Sequence, residues 1–235
     1  MTGRYYFLLT SLPALADLGA APPMDLAELR DRVASESKPH AAALIDAILM
    51  EGDLVLREAA QAGEIERPAP AVLTPGQADG TEPLPEALAD AEPDRPRRIP
   101  ADRTWEAYWR HAARAADAAR CPFARQWVGF EVALRNGLAT ARARTLGLDA
   151  HDYLVAEDLA AESAPDEIIA AAAPAADPLA ALRALDEARW RWVLDNEGYY
   201  SFAIDELAAY ARKLALATRW HLIGQQQRQR RSVEV

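Results

Sequence analysis

Two blocks of the chain concentrate large aromatic side chains at helical spacing, and this pattern constrains the fold more than any other feature. The blocks span residues 121–147 and 179–220. In the first block, large apolar side chains recur at steps of three and four residues, at Phe123, Trp127, Phe130, Leu134 and Leu138. This spacing draws one apolar stripe along a helix, which needs a neighbouring helix to bury it. The sequence therefore predicts an all-α protein made of elongated multi-helix bundle units.

The first predicted unit covers residues 1–65. Its run 5–9 is too short for periodicity to distinguish a strand from one helical turn. Asp25, with Glu28 three residues later, forms a capping-box arrangement and predicts a helix start. Pro39 suits the first turn of the next helix, because the N–H that proline lacks would have no helical partner there. We therefore expect a short helix followed by a longer one.

The second predicted unit covers residues 103–224 and holds the longest helices. Asp177 followed by Pro178 is typical of a helix start, since a side-chain cap precedes a first-turn proline. A polar, glycine-containing break at 196–198 leads into an aromatic hinge. We expect helices over 103–120, over 122–147, from 178 to the break, and over 204–223, with the hinge formed by Tyr199, Tyr200 and Phe202.

A proline-rich acidic segment, residues 66–102, separates the two predicted units. Eight of the sixteen prolines lie in 66–100, which contains no aromatic residue. Proline at this density excludes helix and sheet interiors, so we expect a linker or mobile loop. After the last helix, residues 225–235 form a polar tail that is expected to fray.

The charge and the cysteine content limit the partners and the compartment. The formal net charge is −10, which disfavours nucleic acid and anionic lipid because both attract basic surfaces. The basic cluster 228–231 is interpreted as a solvated helix end, where cations are favourable, in preference to a binding patch. A single cysteine allows no disulfide within the chain, and no apolar stretch is long enough to span a membrane. We therefore expect a cytoplasmic protein that binds no nucleic acid.

No known catalytic or cofactor-binding motif occurs in the sequence. It lacks a glycine-rich phosphate loop, a dinucleotide fingerprint and a serine nucleophile elbow. Its four histidines and one cysteine form no metal-ligand spacing. Cys121 lies at a predicted helix start, where a thiolate is stabilised, but a small buried apolar side chain is the favoured interpretation. The chain is therefore predicted to be non-enzymatic, with no cofactor and no metal.

Three features of the aromatic blocks have both a structural and a contact interpretation. Glu131 and Arg135 are four residues apart and can pair on one helix face. Asn136 is unfavourable inside a helix, so it marks close packing or a contact, or is a plain surface amide. Trp190 and Trp192 cannot share a helix face, so the outward one is either an anchor for a partner or is covered by another helix of this chain.

Three stretches of the sequence together resemble a known family. They are YYFLLTSLPAL at 5–15, followed by APPM at 21–24; CPFARQWVGFEVALRNGLATARARTLGLD at 121–149; and LDEARWRWVLDNEGYYSFAIDELAAYARKLALATRW at 185–220. In wording and order they resemble a bacterial family that is encoded with V/A-type ATPase genes. That family is similar to the C subunit of these ATPases, whose counterpart in eukaryotic V-ATPases is named d.

The resemblance implies a mechanical, non-catalytic function. In the family, the C subunit is an all-α funnel on the cytoplasmic face of the membrane rotor ring, where it receives the end of the central shaft. The chain is thus expected to be a central-stalk component that transmits torque for ion transport. Its expected partners are the rotor-ring and central-shaft subunits, and its expected location is cytoplasmic, peripheral to the inner membrane through the complex. Five residues match recurring family positions and are candidates for packing or partner contact: Arg135, Asn136, Arg189, Trp190 and Tyr210.

Two other functions fit parts of the sequence. A helical adaptor or scaffold with an unrelated protein partner explains the aromatic side chains and the acidic charge equally well. An enzyme with a pocket between the helical halves needs convergent titratable groups, such as Glu131, His111 and another acid around one cavity. The chain is also short for a full three-unit funnel, and its proline-rich middle and polar end depart from the family pattern.

Overall fold

The computed structural model describes residues 5–89, 98–162, 165–173 and 175–233. Over these residues the chain is all-helical and contains no strand, which confirms the predicted fold class. The α-helices are α1 (Tyr6–Ser11), α2 (Leu26–Glu36), α3 (Pro39–Gln61), α4 (Pro75–Asp79), α5 (Glu86–Ala89), α6 (Pro100–Ala119), α7 (Pro122–Leu146), α8 (Asp166–Ala172), α9 (Pro178–Asn196) and α10 (Ile204–Val233). Two short 3-10 turns, Ala150–Tyr153 and Glu157–Leu159, lie between α7 and α8.

The helix starts follow the local sequence signals. Asp25 accepts a hydrogen bond from the Glu28 N–H at 2.6 Å, and Asp177 accepts one from the Ala180 N–H at 2.8 Å. Both side chains satisfy a backbone donor that the first helical turn leaves unpaired. Pro39 is the first residue of α3. The predicted starts of α2, α3 and α9 are thereby confirmed.

Two hydrophobic clusters form the core, and α3, α6 and α7 contribute to both of them. The first cluster adds residues from α1, α2, α9 and α10, and the second adds residues from α5 and from the segment around Val155. Leu44 and Leu54 of α3 are each 1% exposed, and burying one leucine stabilises a fold by about 1.5–3 kcal/mol. The helices of the units predicted at 1–65 and 103–224 therefore share both clusters.

The proline-rich segment packs against these helices, which differs from the expectation of a linker or mobile loop. α4 begins at a capping box formed by Thr74 and Gln77, with Pro75 in its first turn. Leu73 is buried in the second cluster. Proline excludes long helices here but is compatible with the first turn of a short one. The part of the predicted linker at 90–97 lies outside the described residues.

A single carboxylate anchors this segment to α3. Asp53 accepts backbone N–H bonds from Ala71 at 2.8 Å, from Val72 at 2.7 Å and from Leu73 at 2.9 Å. Its side chain is buried, and burial raises the pKa of the carboxyl although the three N–H donors act in the opposite direction. The anchor therefore satisfies three backbone donors in a stretch that forms no helix of its own.

Two segments are more helical than the sequence indicated. The last helix, expected at 204–223, continues to Val233, so the described part of the tail 225–235 is helical. Gln and Arg are good helix formers, and extending an existing helix needs no new nucleus. The resulting α10 has 30 residues and is therefore about 45 Å long. The ambiguous run 5–9 forms the N-cap and the first residues of α1, so it is helical and not a strand.

Replacing Asp53 with Asn is expected to loosen the proline-rich segment. Asn keeps the shape of the side chain but exchanges one acceptor oxygen for an NH2 group, so at least one buried N–H loses its partner. An unsatisfied buried donor costs about 1–3 kcal/mol. Urea denaturation measures this loss of stability, and amide hydrogen exchange should accelerate at 71–73 while α6 keeps its protection.

The matched control is Asp46→Asn on the same helix. Asp46 pairs with Arg30 at 2.8 Å, and both side chains are partly exposed. Partly exposed ion pairs contribute only about 0–1 kcal/mol, so this variant should retain nearly all of the wild-type stability. Equal losses of stability in the two variants would contradict the anchoring role of Asp53.

Candidate functional site

Asp186 is a fully buried carboxylate that joins α9 to α10. It accepts hydrogen bonds from Arg189 at 2.9 Å, from Arg219 at 3.2 Å and from the Trp220 indole N–H at 2.9 Å. Burial opposes its charge, but the guanidinium groups of Arg219 and Arg189 outweigh this effect and lower the pKa of the carboxyl. The Arg183 guanidinium lies 4.7 Å from the centre of the Trp220 ring. These contacts pair α9 and α10 as an antiparallel hairpin.

Arg189 connects this hairpin to α7. Its guanidinium donates two hydrogen bonds to the buried Glu131 carboxylate, at 2.7 and 2.9 Å. Charge-assisted bonds in this two-point geometry are stronger than neutral ones. The spacing allows Glu131 to pair with Arg135, but in the structure Glu131 pairs with Arg189. α9 offers a guanidinium that matches both carboxylate oxygens, whereas Arg135 bonds to Asp102 of α6.

A second buried ion pair connects α3 to α10. Arg212 donates to both oxygens of Glu51, at 2.8 and 3.0 Å, and lies 4.5 Å from the centre of the Trp127 ring. Burial raises the pKa of Glu51 against the opposing effect of Arg212. We define the buried charge cluster as three acids and three arginines with cancelling formal charges: Glu51, Glu131, Asp186, Arg189, Arg212 and Arg219.

On the surface, aromatic side chains of α1 and of the loop between α9 and α10 form a patch. We define the aromatic patch as Tyr6, Phe7, Tyr199, Tyr200 and Phe202. Phe7 is 83% exposed and Tyr200 is 86% exposed. The Tyr6 ring lies 5.5 Å from the Phe7 ring and 4.8 Å from the Phe202 ring, between ring centres. Grouped apolar side chains on a surface mark interaction sites, whereas single ones do not.

The loop holds two of these aromatic residues in an unfavourable backbone conformation. Tyr200 has φ 59° and Phe202 has φ 50°, in the left-handed region that bulky side chains rarely adopt. The Ser201 N–H donates to Glu206, and the Tyr199 hydroxyl donates to Glu197 at 2.9 Å. Strain of this kind costs of order 1–3 kcal/mol and concentrates at functional sites. The exposed position of Tyr200 therefore goes together with an unfavourable backbone conformation of the loop.

Two of the candidate positions, Arg135 and Asn136, make contacts within the chain. Arg135 bonds to Asp102 at 2.7 Å, and its guanidinium lies 5.1 Å from the centre of the Trp105 ring. The Asn136 side chain donates to the Val155 carbonyl at 2.8 Å and accepts from the Val155 N–H at 3.0 Å. Asn136 therefore fixes the segment that follows α7, and it is not a plain surface amide.

The remaining candidates lie on α9 and α10. Tyr210 donates to the Pro13 carbonyl at 2.9 Å and ties α10 to the segment after α1, while Arg189 belongs to the buried charge cluster. Trp192 stacks on Phe130 in the first hydrophobic cluster, with ring centres 5.2 Å apart. Trp190 is half-buried and lies outside both hydrophobic clusters. The five candidates are thus brought to several places and do not form one site.

The aromatic patch was not predicted as a site. The sequence contains both halves of it, as the aromatic run at 5–7 and as the hinge residues Tyr199, Tyr200 and Phe202. Nothing in the sequence shows that these halves, almost 200 residues apart, meet. Their contact is made by the Tyr5 N–H, which donates to the Phe202 carbonyl at 3.2 Å.

A small cavity lies inside the part of the chain that the structure describes. One internal cavity of about 10 Å³ is lined by Tyr108, Trp127 and Arg212 among others, and this is the size of a single water molecule. Neither Glu131 nor His111 lines it. Burial raises the pKa of the Cys121 thiol to about 12, so it is protonated at neutral pH. This agrees with its interpretation as a small buried side chain.

The part of the chain that the structure describes contains neither a metal-binding group nor a membrane-spanning helix. No group of His, Cys, Asp and Glu in it is arranged to hold a metal ion. None of its helices is both long enough and apolar enough to cross a membrane.

Comparison with protein-family models, with curated proteins and with solved structures found no match to this chain.

Replacing Asp186 with Asn is expected to destabilise the protein by about 3 kcal/mol near neutral pH, because Arg219 then lacks its carboxylate partner and Arg189 keeps only Glu131. Urea denaturation measures the loss. The matched control is Glu187→Gln at the next position, where the side chain is about half exposed and pairs with Arg183 at 2.7 Å. That variant should change the stability by about 1 kcal/mol or less.

The effect of Asp186→Asn should depend on pH. A carboxyl whose pKa is lowered in the folded protein stabilises it above the unfolded pKa, which is about 4 for aspartate. This contribution is lost as the pH falls through the folded pKa. The stability difference between wild type and Asp186→Asn should therefore shrink when the pH is lowered below about 4. A difference that stays constant down to the acid unfolding transition would contradict an ionised Asp186.

Proposed function

We propose that this chain is a non-catalytic component of the central stalk of a bacterial V/A-type ATPase, similar to the C subunit of such enzymes. It links the rotary shaft to the membrane rotor ring and transmits torque for ion transport. One observation carries the proposal. The three stretches that resemble the family, 5–15, 121–149 and 185–220, are far apart in sequence, yet they pack against one another in the fold.

Specific contacts join the third stretch to each of the other two. Tyr210 bonds to the Pro13 carbonyl at 2.9 Å and so connects the third stretch to the first. Asp205 accepts from the Phe123 N–H at 2.8 Å, which connects the third stretch to the second. The Glu131–Arg189 pair makes the same connection in the interior. These contacts between the stretches support the interpretation that the three stretches form one unit.

A rigid interior suits a part that transmits torque. A component that links a shaft to a ring must not deform between its two contacts. The buried charge cluster joins α3, α7, α9 and α10 through paired charges in a site that excludes most water, where electrostatic interactions are strong. The aromatic patch lies at one end of the α9–α10 hairpin, and it supplies an exposed surface for a protein partner.

The test is a tagged pull-down from native membranes in low salt, with the eluate identified by mass spectrometry. We expect wild-type protein to recover rotor-ring and central-shaft subunits. The double variant Phe7→Gln/Tyr200→Asn should recover at least about tenfold less of its direct partner, because large exposed aromatics dominate interface energies. Asn is chosen at Tyr200 since it tolerates positive φ.

The matched control for the pull-down is Leu146→Gln. Leu146 is 70% exposed at the end of α7, outside the aromatic patch, so the substitution removes exposed apolar surface elsewhere. It should recover as much partner as wild type. An eluate without any ATPase component would overturn the proposal. Recovery of one unrelated protein through the patch would instead favour the helical adaptor.

A further inference from the structure

The aromatic patch is bordered by acidic side chains. Described residues 5–16 carry no charged side chain, and residues 194–206 contain four acidic residues and neither Lys nor Arg. Glu197 pairs with Lys213 at 2.5 Å, and Asp205 accepts a hydrogen bond from the Phe123 N–H. Asp195 is exposed and has no ion pair among the described residues.

The electrostatic environment of the loop agrees with this arrangement. The pKa of Tyr199 is raised, mainly because its hydroxyl donates to Glu197, with further contributions from burial and from the negative charges of Glu197 and Asp195. Glu206 adds a further carboxylate, which accepts from the Ser201 N–H. The loop that carries the exposed ring of Tyr200 therefore also carries carboxylates, on a chain whose net charge is −10.

Two kinds of side chain fit such a surface. Lys and Arg are attracted by the carboxylates, and their cationic groups bind favourably over aromatic faces, with about 0.5–2 kcal/mol each. Large aliphatic side chains fill the apolar area between the rings. An acidic segment would be repelled, and like charges opposed across an interface strongly suppress binding.

We propose that the aromatic patch binds a protein segment that presents basic and large aliphatic side chains together, as an amphipathic basic helix does. This inference rests on the proposed function, because it names the chemistry of the partner surface that contacts the patch. The occupant is a segment of another protein, and its basic side chains lie over the acidic border.

The probe is a synthetic amphipathic peptide of about 14 residues with Leu and Lys at helical spacing. The comparison peptide has every Lys replaced by Glu. Fluorescence anisotropy of the labelled peptides at physiological salt gives their affinities, and amide chemical shifts of the isotope-labelled protein locate the binding site. We expect the Lys peptide to bind at least about tenfold more tightly than the Glu peptide, with shift changes at 5–9 and 194–206.

Variants separate the patch from the general negative charge of the protein. Phe7→Gln/Tyr200→Asn keeps the net charge and should weaken binding of the Lys peptide by about tenfold. Leu146→Gln should change the affinity by less than about twofold. Asp195→Asn should weaken binding a few-fold and reduce its dependence on salt. Because Phe7 and Tyr200 are mostly exposed, the variants should melt at nearly the wild-type temperature.

Three outcomes of the peptide-binding and sedimentation experiments would each overturn the inference. They are equal affinity of wild type and the patch double variant, tighter binding of the Glu peptide, and patch-dependent self-association in sedimentation velocity, since a second copy would then occupy the surface. The pull-down distinguishes failure of this inference from failure of the proposed function. Recovery of ATPase subunits through the patch without binding of the Lys peptide refutes the inference only. Binding of the peptide at the patch without recovery of ATPase subunits refutes the proposed function only.

Discussion

The architecture depends on a set of buried charges that cancel one another. Asp186 holds the α9–α10 hairpin together, Arg189 joins that hairpin to Glu131 on α7, and Arg212 joins α10 to Glu51 on α3. Each carboxylate in the buried charge cluster accepts hydrogen bonds from at least one guanidinium. Removing one member leaves an uncompensated charge in the interior, which costs far more than a surface pair contributes. The relative positions of four helices therefore follow from ion pairing as well as from apolar burial.

The packing of α9 and α10 also determines how the loop between them exposes the aromatic patch. The hairpin carries a loop that is closed by Glu206 and Glu197 and held against α1 by the Phe202 carbonyl. Two aromatic residues with positive φ are tolerated there because the flanking helices are fixed. The aromatic patch is thus displayed by a rigid base, which reduces the ordering cost when a partner binds. The same rigidity suits a component that transmits force.

The proline-rich segment shows how local signals and composition can disagree. Its proline content predicted a linker. The order of residues nevertheless contains a helix start, formed by Thr74, Pro75 and Gln77, which composition alone does not reveal. Its attachment to α3 could not be predicted, because the anchor is Asp53, about twenty residues away, and three backbone N–H groups carry no sequence signature. Likewise, the spacing of Glu131 and Arg135 suggested a pair, but partners on other helices offered better geometry.

The sequence by itself determined the all-α class and the starts of the helices, since spacing, caps and first-turn prolines act within a few residues. It also contained both halves of the aromatic patch. Only the tertiary structure decided which charges pair, that the two predicted units share both hydrophobic clusters, and that the run at 5–7 meets Phe202. Those outcomes depend on contacts between residues tens to nearly 200 positions apart, and such contacts form only when whole helices pack.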